Sequence, residues 1–549
     1  MQFIVRPYVC GGLGRIDSAL VGKLSSAGPR VRPALQTAEA ALFSSAPLPP
    51  YQRSGEAFAF SWGERRPPAA RSERAADWMG VAETYETPGL IGDGPRTTLH
   101  TGALGLVDVY YVRIGEAVYF SSLIQPLMAL VPLEIDWSAW ASILRVTFPL
   151  GEATPYREIK RLPGSSALVW DGERLSTERR LPRWLRSEPY ETWVGAGEIV
   201  ELLHDVYKDY DGRKLLVPIS GGYDSRLLGS VAKARGFDVE SWTTSPDDGT
   251  DTDIAFARAI TGELGIPHRV ITQDAASYPD DAAEVARRLE YLTPHHAWYA
   301  PFAKEVHTSG RILVDGLAGG PLLKNFMVSG AALEATSQAE RSAAVLGSLS
   351  LGAPSQPFLS EAAGAWIDET VREQFAAATS MLHGHRAELP LSVLHTRTVR
   401  GIARSAVNMV GPEASFAAPF IHPDFFDAAL SVGVARKDKG RFYREVLHAA
   451  DPRVAALPST NVIKQPLRRV ALRSTAAPAR DYSHRMLRVV ATRVPGLLSD
   501  ELHALVADGP DALTRFNGWN DRFWVRGLVL FGLWLSDFEN DLDDLSAPF

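Results

Sequence analysis

Leu215-Leu-Val-Pro-Ile-Ser-Gly-Gly-Tyr-Asp-Ser-Arg226 is the stretch that decides the fold. Leu215 to Ile219 is a short apolar run that reads as a buried strand. Ser220-Gly221-Gly222 makes a sharp turn, and from Ser225 onward Arg226, Leu227, Leu228, Val231 and Ala232 have helical spacing. Strand, glycine turn and helix in succession aim backbone N–H groups and a positive helix end at one point, which suits a phosphate. Glycines let the backbone approach the anion where a Cβ would block it. Asp224 adds a carboxylate beside that anion, which makes sense with a bridging cation such as Mg²⁺. Two glycines alone would be an ordinary β–α turn; Ser-Gly-Gly-Xaa-Asp-Ser is much more specific. No Gly-Lys-Ser/Thr follows, so γ-phosphate transfer is not the expected chemistry.

The flanking sequence alternates strands and helices. Ile199, Val200, Leu203, Val206 and Tyr207 predict an amphipathic helix over residues 195–210. Phe237 to Thr244 is a second strand, and its end at Trp242-Thr243-Thr244 lies where nucleotides bind in parallel sheets, so Thr243 is a candidate contact. Asp251-Thr-Asp253 then starts a helix through Leu264, with Asp253 as its N-cap by residue type. His268 to Thr272 is a third strand, and Arg311 to Gly320 a fourth that runs into a glycine turn. Alternation of this kind predicts a parallel α/β sheet. Earlier in the chain, Thr97–His100, Val107–Arg113, Ala117–Ser122 and Ser166–Trp170 read as strands around turns at Thr101-Gly102, Gly115-Glu116 and Asp171-Gly172. Residues 1–60 are weakly patterned, with Met1–Arg6 their clearest strand. Residues 331–400 are helical with breaks at Gly352-Ala-Pro354 and Pro390, and Trp519 to Phe538 is a last, core-packing helix.

At 549 residues, 46% hydrophobic and 22% charged, the composition is that of a soluble globular protein with room for two or more domains. A net charge of −7 gives no global attraction to nucleic acid. The single cysteine, Cys10, excludes an internal disulfide and a cysteine-based zinc site. The run Gly527 to Leu535 is too short to span a bilayer, and the N-terminus, with Pro7, lacks the apolar core of a signal peptide. A cytoplasmic location is expected. His268, His295 and His296 lack neighbouring carboxylates in sequence and read as surface or satisfied core residues.

The loop hexapeptide resembles the pyrophosphate loop of the N-type ATP pyrophosphatases, which cleave ATP to AMP and pyrophosphate. Further motifs narrow the resemblance to asparagine synthetase-like amide ligases over most of residues 97–465. Leu104 to Leu127 looks like the end of their glutaminase domain, and Thr154 to Gly164 like their interdomain segment. Asp315-Gly-Leu-Ala-Gly-Gly320 looks like their second phosphate-side loop, Ser-Gly-Glu-Gly-Xaa-Asp-Glu. Glu413 to Asp424 resembles Glu-Ala-Arg-Val-Pro-Phe-Leu-Asp, and Leu457 to Gln465 resembles the segment whose lysine stabilises charge near an acyl-adenylate. The resemblance implies an α/β protein in two domains. Residues 1–190 would be a degenerate Ntn-amidotransferase-like β-rich sandwich, and residues 191–549 a parallel-sheet ATP pyrophosphatase domain of the adenine nucleotide alpha hydrolase-like kind. It implies ATP on Ser220, Gly221, Gly222, Asp224, Ser225, Thr243 and Gly316, and Mg²⁺ at Asp224. Asp315 is a replacement metal carboxylate by its proximity, and Lys464 and Glu413 are the implied catalytic residues.

The chain also departs from the pattern. Leu317 stands where the family has glutamate, or tyrosine in β-lactam synthetases, and Gly320 where it has a metal-binding aspartate. Position 2, the family's cysteine nucleophile, is Gln2, and there is no counterpart of the glutamine-binding Asn-Gly-Glu-Ile-Tyr-Asn stretch. Cys10-Gly-Gly-Leu-Gly14 faintly resembles a cysteine-glycine start that removal of nine residues would expose; the preferred reading is a small buried thiol. Glutaminase activity is therefore not expected, and the amine must come from another substrate. A degenerate first half, an altered second loop and an extended C-terminal half look most like lasso-peptide cyclases. Those join a precursor peptide's N-terminal amine to an Asp or Glu side chain, in company with a leader-binding protein and a leader protease. Two other readings stand beside it: a small-substrate ligase of the asparagine or β-lactam synthetase type, and a catalytically silent scaffold.

Overall fold

The computed structural model describes residues 6–549 except 29, 49, 51, 55–56, 64–74, 187–193, 246, 248, 412–413, 464–468, 472, 517–518, 539 and 543. The strand expected at the extreme N-terminus falls on residues 1–5 and, with Gln2, lies outside the described residues.

Among the described residues, the first part of the chain builds two six-stranded antiparallel sheets. Its strands are β1 (Val9–Gly14), β2 (Arg32–Gln36), β3 (Ala40–Ser44), β4 (Gln52–Ser54), β5 (Ala57–Ser61), β6 (Gly89–Asp93), β7 (Arg96–His100), β8 (Tyr110–Ile114), β9 (Ala117–Ser121), β10 (Lys160–Arg161), β11 (Ser166–Trp170) and β12 (Leu175–Arg179). One sheet has the order β10-β8-β9-β1-β3-β2 and the other β12-β11-β7-β6-β5-β4. Val9, Leu13, Leu42, Val118 and Phe120 of the first sheet meet Phe58, Phe60, Leu90, Leu99 and Trp170 of the second in one core cluster. Alternation along each strand supplies those inward side chains, and the result is a sandwich. Its outer faces are also covered, since Tyr110, Val112 and Tyr119 pack with Trp137 and Trp140, and Ala59, Ile91 and Val169 pack with the second half of the chain.

Five of these strands lie within the first 61 residues, where the sequence is weakly patterned. Small residues hide them. A Cβ on Gly11 would stand 2.1 Å from the Ala41 carbonyl oxygen, so β1 and β3 pair closely only because glycine is there. The expected strand at Val107–Arg113 is displaced to Tyr110–Ile114, because Asp108 leaves the ladder for a buried arginine cluster.

The second part carries a five-stranded sheet of β13 (Leu215–Leu216), β14 (Val239–Thr244), β15 (His268–Ile271), β16 (Ile312–Val314) and β17 (Phe416–Ala417). The order is β15-β14-β13-β16-β17 and every pairing is parallel. The run Leu215–Ile219 is buried as expected, but paired over two residues only. Pro218 has no N–H to donate, and the chain leaves the ladder there. Pro390 does not break a helix; it sits in the first turn of Glu388–Val393, where its missing donor is not needed. The helix Trp519–Phe538 buries Trp524, Phe531, Trp534 and Phe538, each contributing about 1.5–3 kcal/mol of apolar burial. No helix among the described residues is long and apolar enough to cross a membrane.

Candidate active site

In the order β15-β14-β13-β16-β17 the connections after β13 and β16 diverge, leaving a crevice beyond their carboxyl ends. Ser220 to Tyr223 fills the turn after β13, and the helix Asp224–Ala234 begins at once. No side chain caps that helix, so its first N–H groups face the crevice. Asp315 to Ala318 approaches from the end of β16. A cavity of ≈ 260 Å³ opens beside them, walled by Trp242, Thr243, Trp298, Tyr299 and Phe302, with Asp253 and Asp315 at its polar side. Flat aromatic walls of this kind suit a heterocyclic base.

The loop is held by its own hydrogen bonds. Ser220 N–H donates to Ser225 Oγ at 3.1 Å, and Gly222 N–H donates to Ser220 Oγ at 3.2 Å. Gly221 N–H donates to Asp253 Oδ1 at 2.8 Å. Asp253 is thus not the N-cap expected of it. It lies in the first turn of Thr252–Leu264, Asp251 occupies the cap position, and the carboxylate serves the loop instead. The two glycines also differ. A Cβ on Gly221 would lie 2.6 Å from Thr460 Cγ2 and 2.9 Å from Asp253 Oδ1, so protein, not ligand, requires that glycine. A Cβ on Gly222 would meet only Ser220 Oγ at 3.3 Å and Asn461 Nδ2 at 3.9 Å, which leaves Gly222 the more open of the two.

Asp224 and Asp315 are brought together. Gly316 and Gly319 make room for Asp224; their added Cβ atoms would stand 2.8 Å from its Cβ and its Oδ1. Burial first, and then the Asp224 charge, push the Asp315 carboxyl up to about 6, against the pull of the Leu317 N–H. Asp224 Oδ1 is buried with no hydrogen-bond partner. Two carboxylates, one with an unsatisfied oxygen, fit a Mg²⁺ that arrives with phosphate oxygens as its other ligands. No group of three or more His, Cys, Asp or Glu side chains suited to a metal occurs among the described residues. Thr243 lines the cavity, but its hydroxyl is committed, donating to Ile219 O at 2.6 Å and lying 2.8 Å from His268 Nε2. His295 is enclosed, with burial and then Arg526 and Arg397 holding its imidazole near 4, hence neutral.

Glu413 and Lys464 lie outside the described residues. The segment leading to Lys464 docks on the loop: Ser459 Oγ and Thr460 N–H both donate to Gly221 O, at 2.8 and 3.0 Å. Arg226, on the loop helix, donates to the carbonyls of Leu457 and Pro458 at 2.9 and 2.6 Å. Leu317 is core, 3% exposed, and offers the crevice no reactive side chain. Ala318 takes a left-handed φ of 72° at the start of Gly319–Lys324, a conformation natural to glycine and costly to alanine by about 1–2 kcal/mol.

Sequence reading missed Lys324. Its Nζ lies 3.8 Å from Asp224 Oδ2, donates to Asn461 Oδ1 at 3.0 Å, and sits over the rings of Tyr223, Phe326 and Tyr443 at 5.6–5.7 Å. The signal was its position one helical turn after Gly320. A Cβ on Gly320 would meet Phe326 Cβ at 3.1 Å before Lys324 Cε at 3.6 Å, so Phe326 is what crowds that position and the lysine stem lies just beyond it. Cys10 lies inside β1 with no exposure, and burial pushes its thiol up to about 12. In this state it is a neutral core side chain and not an activated nucleophile.

No family model matches the chain, and no curated protein matches it. Among solved structures it is similar to the NMN synthetase of Francisella tularensis, at 19% identity and a TM-score of 0.17, over 23% of this chain and 56% of that one. It is also similar to the glutamine phosphoribosylpyrophosphate amidotransferase of B. subtilis complexed with ADP and GMP. That match has 11% identity and a TM-score of 0.21, over 48% of this chain and 65% of the other. A structure described as the allosteric regulatory enzyme of purine biosynthesis matches at 10% identity and a TM-score of 0.21, over 48% and 64%. The chain spans less than two thirds of the length of each. Similarities this slight carry no information on substrate or chemistry.

Proposed function

We propose that the chain is an ATP-dependent, AMP-forming carbon–nitrogen ligase acting on a precursor peptide, joining an Asp or Glu side chain to the peptide's own N-terminal amine. The observation that carries the adenylation reading is the convergence, at one crevice, of an uncapped helix start, Asp224 and Asp315 beside an aromatic cavity. The base would lie among Trp242, Trp298 and Phe302, with the phosphates over Ser220 to Ser225 and Gly316. Mg²⁺ brought with the nucleotide would be held by Asp224 and Asp315 and would offset phosphate charge. The substrate carboxylate oxygen attacks the α-phosphorus; a C–O–P anhydride forms as the α–β P–O bond breaks, and pyrophosphate leaves with the electron pair. The peptide amine, after losing a proton, then attacks the acyl carbon; a C–N bond forms and AMP departs. In this reading Glu413 accepts that proton, and Lys464 and Lys324 set positive charge against the developing anions. Residues 1–190 serve as a degenerate amidotransferase-like domain and 191–549 as the ligase domain.

A peptide is favoured over a small amino acid by the rim of the crevice. Phe326, Val462 and Ile463 are exposed there by 38%, 65% and 38%, beside Lys324 and Asn461. Apolar side chains held in water at a site mouth suit an extended chain. The test is carboxylate-dependent ATP–pyrophosphate exchange with peptides and with free amino acids. Exchange driven by peptides bearing Asp or Glu supports the cyclase. Exchange driven by a free amino acid alone replaces it with the small-substrate ligase, and no exchange with either leaves the silent scaffold.

A further inference from the structure

A second cavity, of ≈ 350 Å³, lies at the seam between the sandwich and the helices. The sandwich side contributes Gly151 to Ala153, Arg161, Pro163 to Ser165 and Arg179. The helical side contributes Gln374 from Glu361–Thr379, and His395, Thr396, Val399 and Arg400 from the π-helical stretch Leu394–Ile402. A π-helical run of this length is rare, and such turns recur at functional sites.

The charge around this cavity does not balance. Arg161, Arg179 and Arg400 line it together with a single carboxylate, Glu152. Directly behind the wall Asp108 is shared by three guanidiniums: Arg161 Nε at 2.7 Å, Arg400 Nη1 at 3.9 Å, and Arg404, which bonds it most closely. Four arginines therefore surround two carboxylates, leaving two positive charges in excess. Arg179 forms no ion pair among the described residues, and its Nη2 donates only to the Met381 thioether, at 3.2 Å. Arg400 Nη1 makes no hydrogen bond, although Arg400 is 2% exposed, and His395 Nε2 is buried and unsatisfied as well. Native proteins rarely leave two such nitrogens at one place without a hydrogen-bond partner. Burial and the neighbouring Arg161 lower the Arg400 guanidinium to about 9, which agrees with a deficit of negative charge.

We propose that this cavity binds a small dianion bearing carboxylate or phosphate groups, which spans Arg179 and Arg161 on the sandwich side and Arg400 on the helical side. The volume has room for roughly ten waters at ~30 Å³ each, enough for a dicarboxylic acid or a small phosphate. Such a ligand fastens the two layers to each other without entering the nucleotide crevice.

The full chain in chloride buffer is titrated with inorganic phosphate and, separately, with succinate at constant ionic strength, by calorimetry and thermal melting. Binding at one site with a raised melting temperature is expected for at least one of them. A response to phosphate alone identifies a phosphate ligand, and a response to succinate alone a dicarboxylate. Arg179→Met, at an exposed position outside the Asp108 cluster, weakens that binding about tenfold or more and leaves the ligand-free melting temperature unchanged. Arg400→Met is expected to abolish the response as well; since it also removes the hydrogen bonds from Arg400 to the Pro149 and Ala153 carbonyls, anion binding and not the melting temperature is its readout. No response to either anion overturns the proposal. So does a response of equal size in Arg179→Met, the result expected of phosphate held at the nucleotide loop instead.

Discussion

Asp108, at the seam between sandwich and helices, and Asp315, at the end of β16, are both enclosed carboxylates in opposite surroundings. Burial raises the Asp108 carboxyl, but Arg404, Arg161 and Arg400 override it and hold it well below the ordinary range. Asp315 has burial and the like charge of Asp224 against it, opposed only by the Leu317 N–H, and is pushed up to about 6. One is a permanent anion that ties layers together; the other sits near the pH at which it takes or gives a proton. The lesson is that an enclosed carboxylate with its countercharge in place is architecture, and one without it awaits a cation from outside.

The sharpest way to break this contrast is at the crevice. Asp224→Asn removes the charge that would hold a cation and keeps the side chain that packs on Gly316 and Gly319. It is expected to abolish Mg²⁺-dependent pyrophosphate exchange with the melting temperature nearly unchanged; exchange near the wild-type rate refutes the metal assignment. At the seam the signature reverses. Asp108→Asn strands three guanidiniums and is expected to cost about 3–5 kcal/mol of stability, read by denaturant unfolding. A loss under about 1 kcal/mol would show that Asp108 is not the tie it is taken for.

Lys464 tests whether the crevice depends on charge supplied by the segment docked on it. Lys464→Met is expected to slow single-turnover amide formation about 10²–10³-fold, with incomplete rescue by Lys464→Arg because the planar guanidinium presents its donors differently. Near-normal turnover in Lys464→Met shifts attention to Lys324. The smallest effect concerns Asp315. Its carboxyl is raised to about 6 from an unfolded value of about 3.9, so between those limits the folded chain holds a proton that the unfolded chain gives up. That contribution is complete below about pH 4 and is lost as pH rises through 6. Asp315→Asn should therefore be more stable than wild type at pH 7, by up to about 3 kcal/mol, and no more stable at pH 4. Melting curves at both pH values decide it, and Mg²⁺ with ATP should narrow the gap at pH 7 by favouring the ionised carboxylate.

The parallel sheet and its loop were legible because local chemistry and tertiary role coincide there. Leu215 to Ser225 is strand, turn and helix by its own composition, and Asp224 and Asp315 sit where that reading puts them. The sandwich was half-hidden, since Gly11 and Gly12 weaken the strand signal of β1 while serving its close pairing with β3. Lys324 and Asp253 were missed or misassigned for another reason. Their roles come from groups that fold against them, Asp224 and Asn461 for the lysine and Gly221 for the aspartate, and beyond the place of Lys324 one turn after Gly320 the nearby sequence does not announce those contacts.

The hydrogen bond from Gly221 to Asp253 bears on how fast such a site could work. In the resting loop a carboxylate of the protein already occupies the donor that a phosphate oxygen would seek. Loading is then an exchange of one anion for another, and the net gain is the difference between two charge-assisted bonds. For a loop that holds ATP as proposed, this competition would keep nucleotide affinity modest. The same carboxylate, tethered beside the loop, would close the vacated contact when the anion departs. Asp253 would then act as a built-in ejector, trading residence time for turnover.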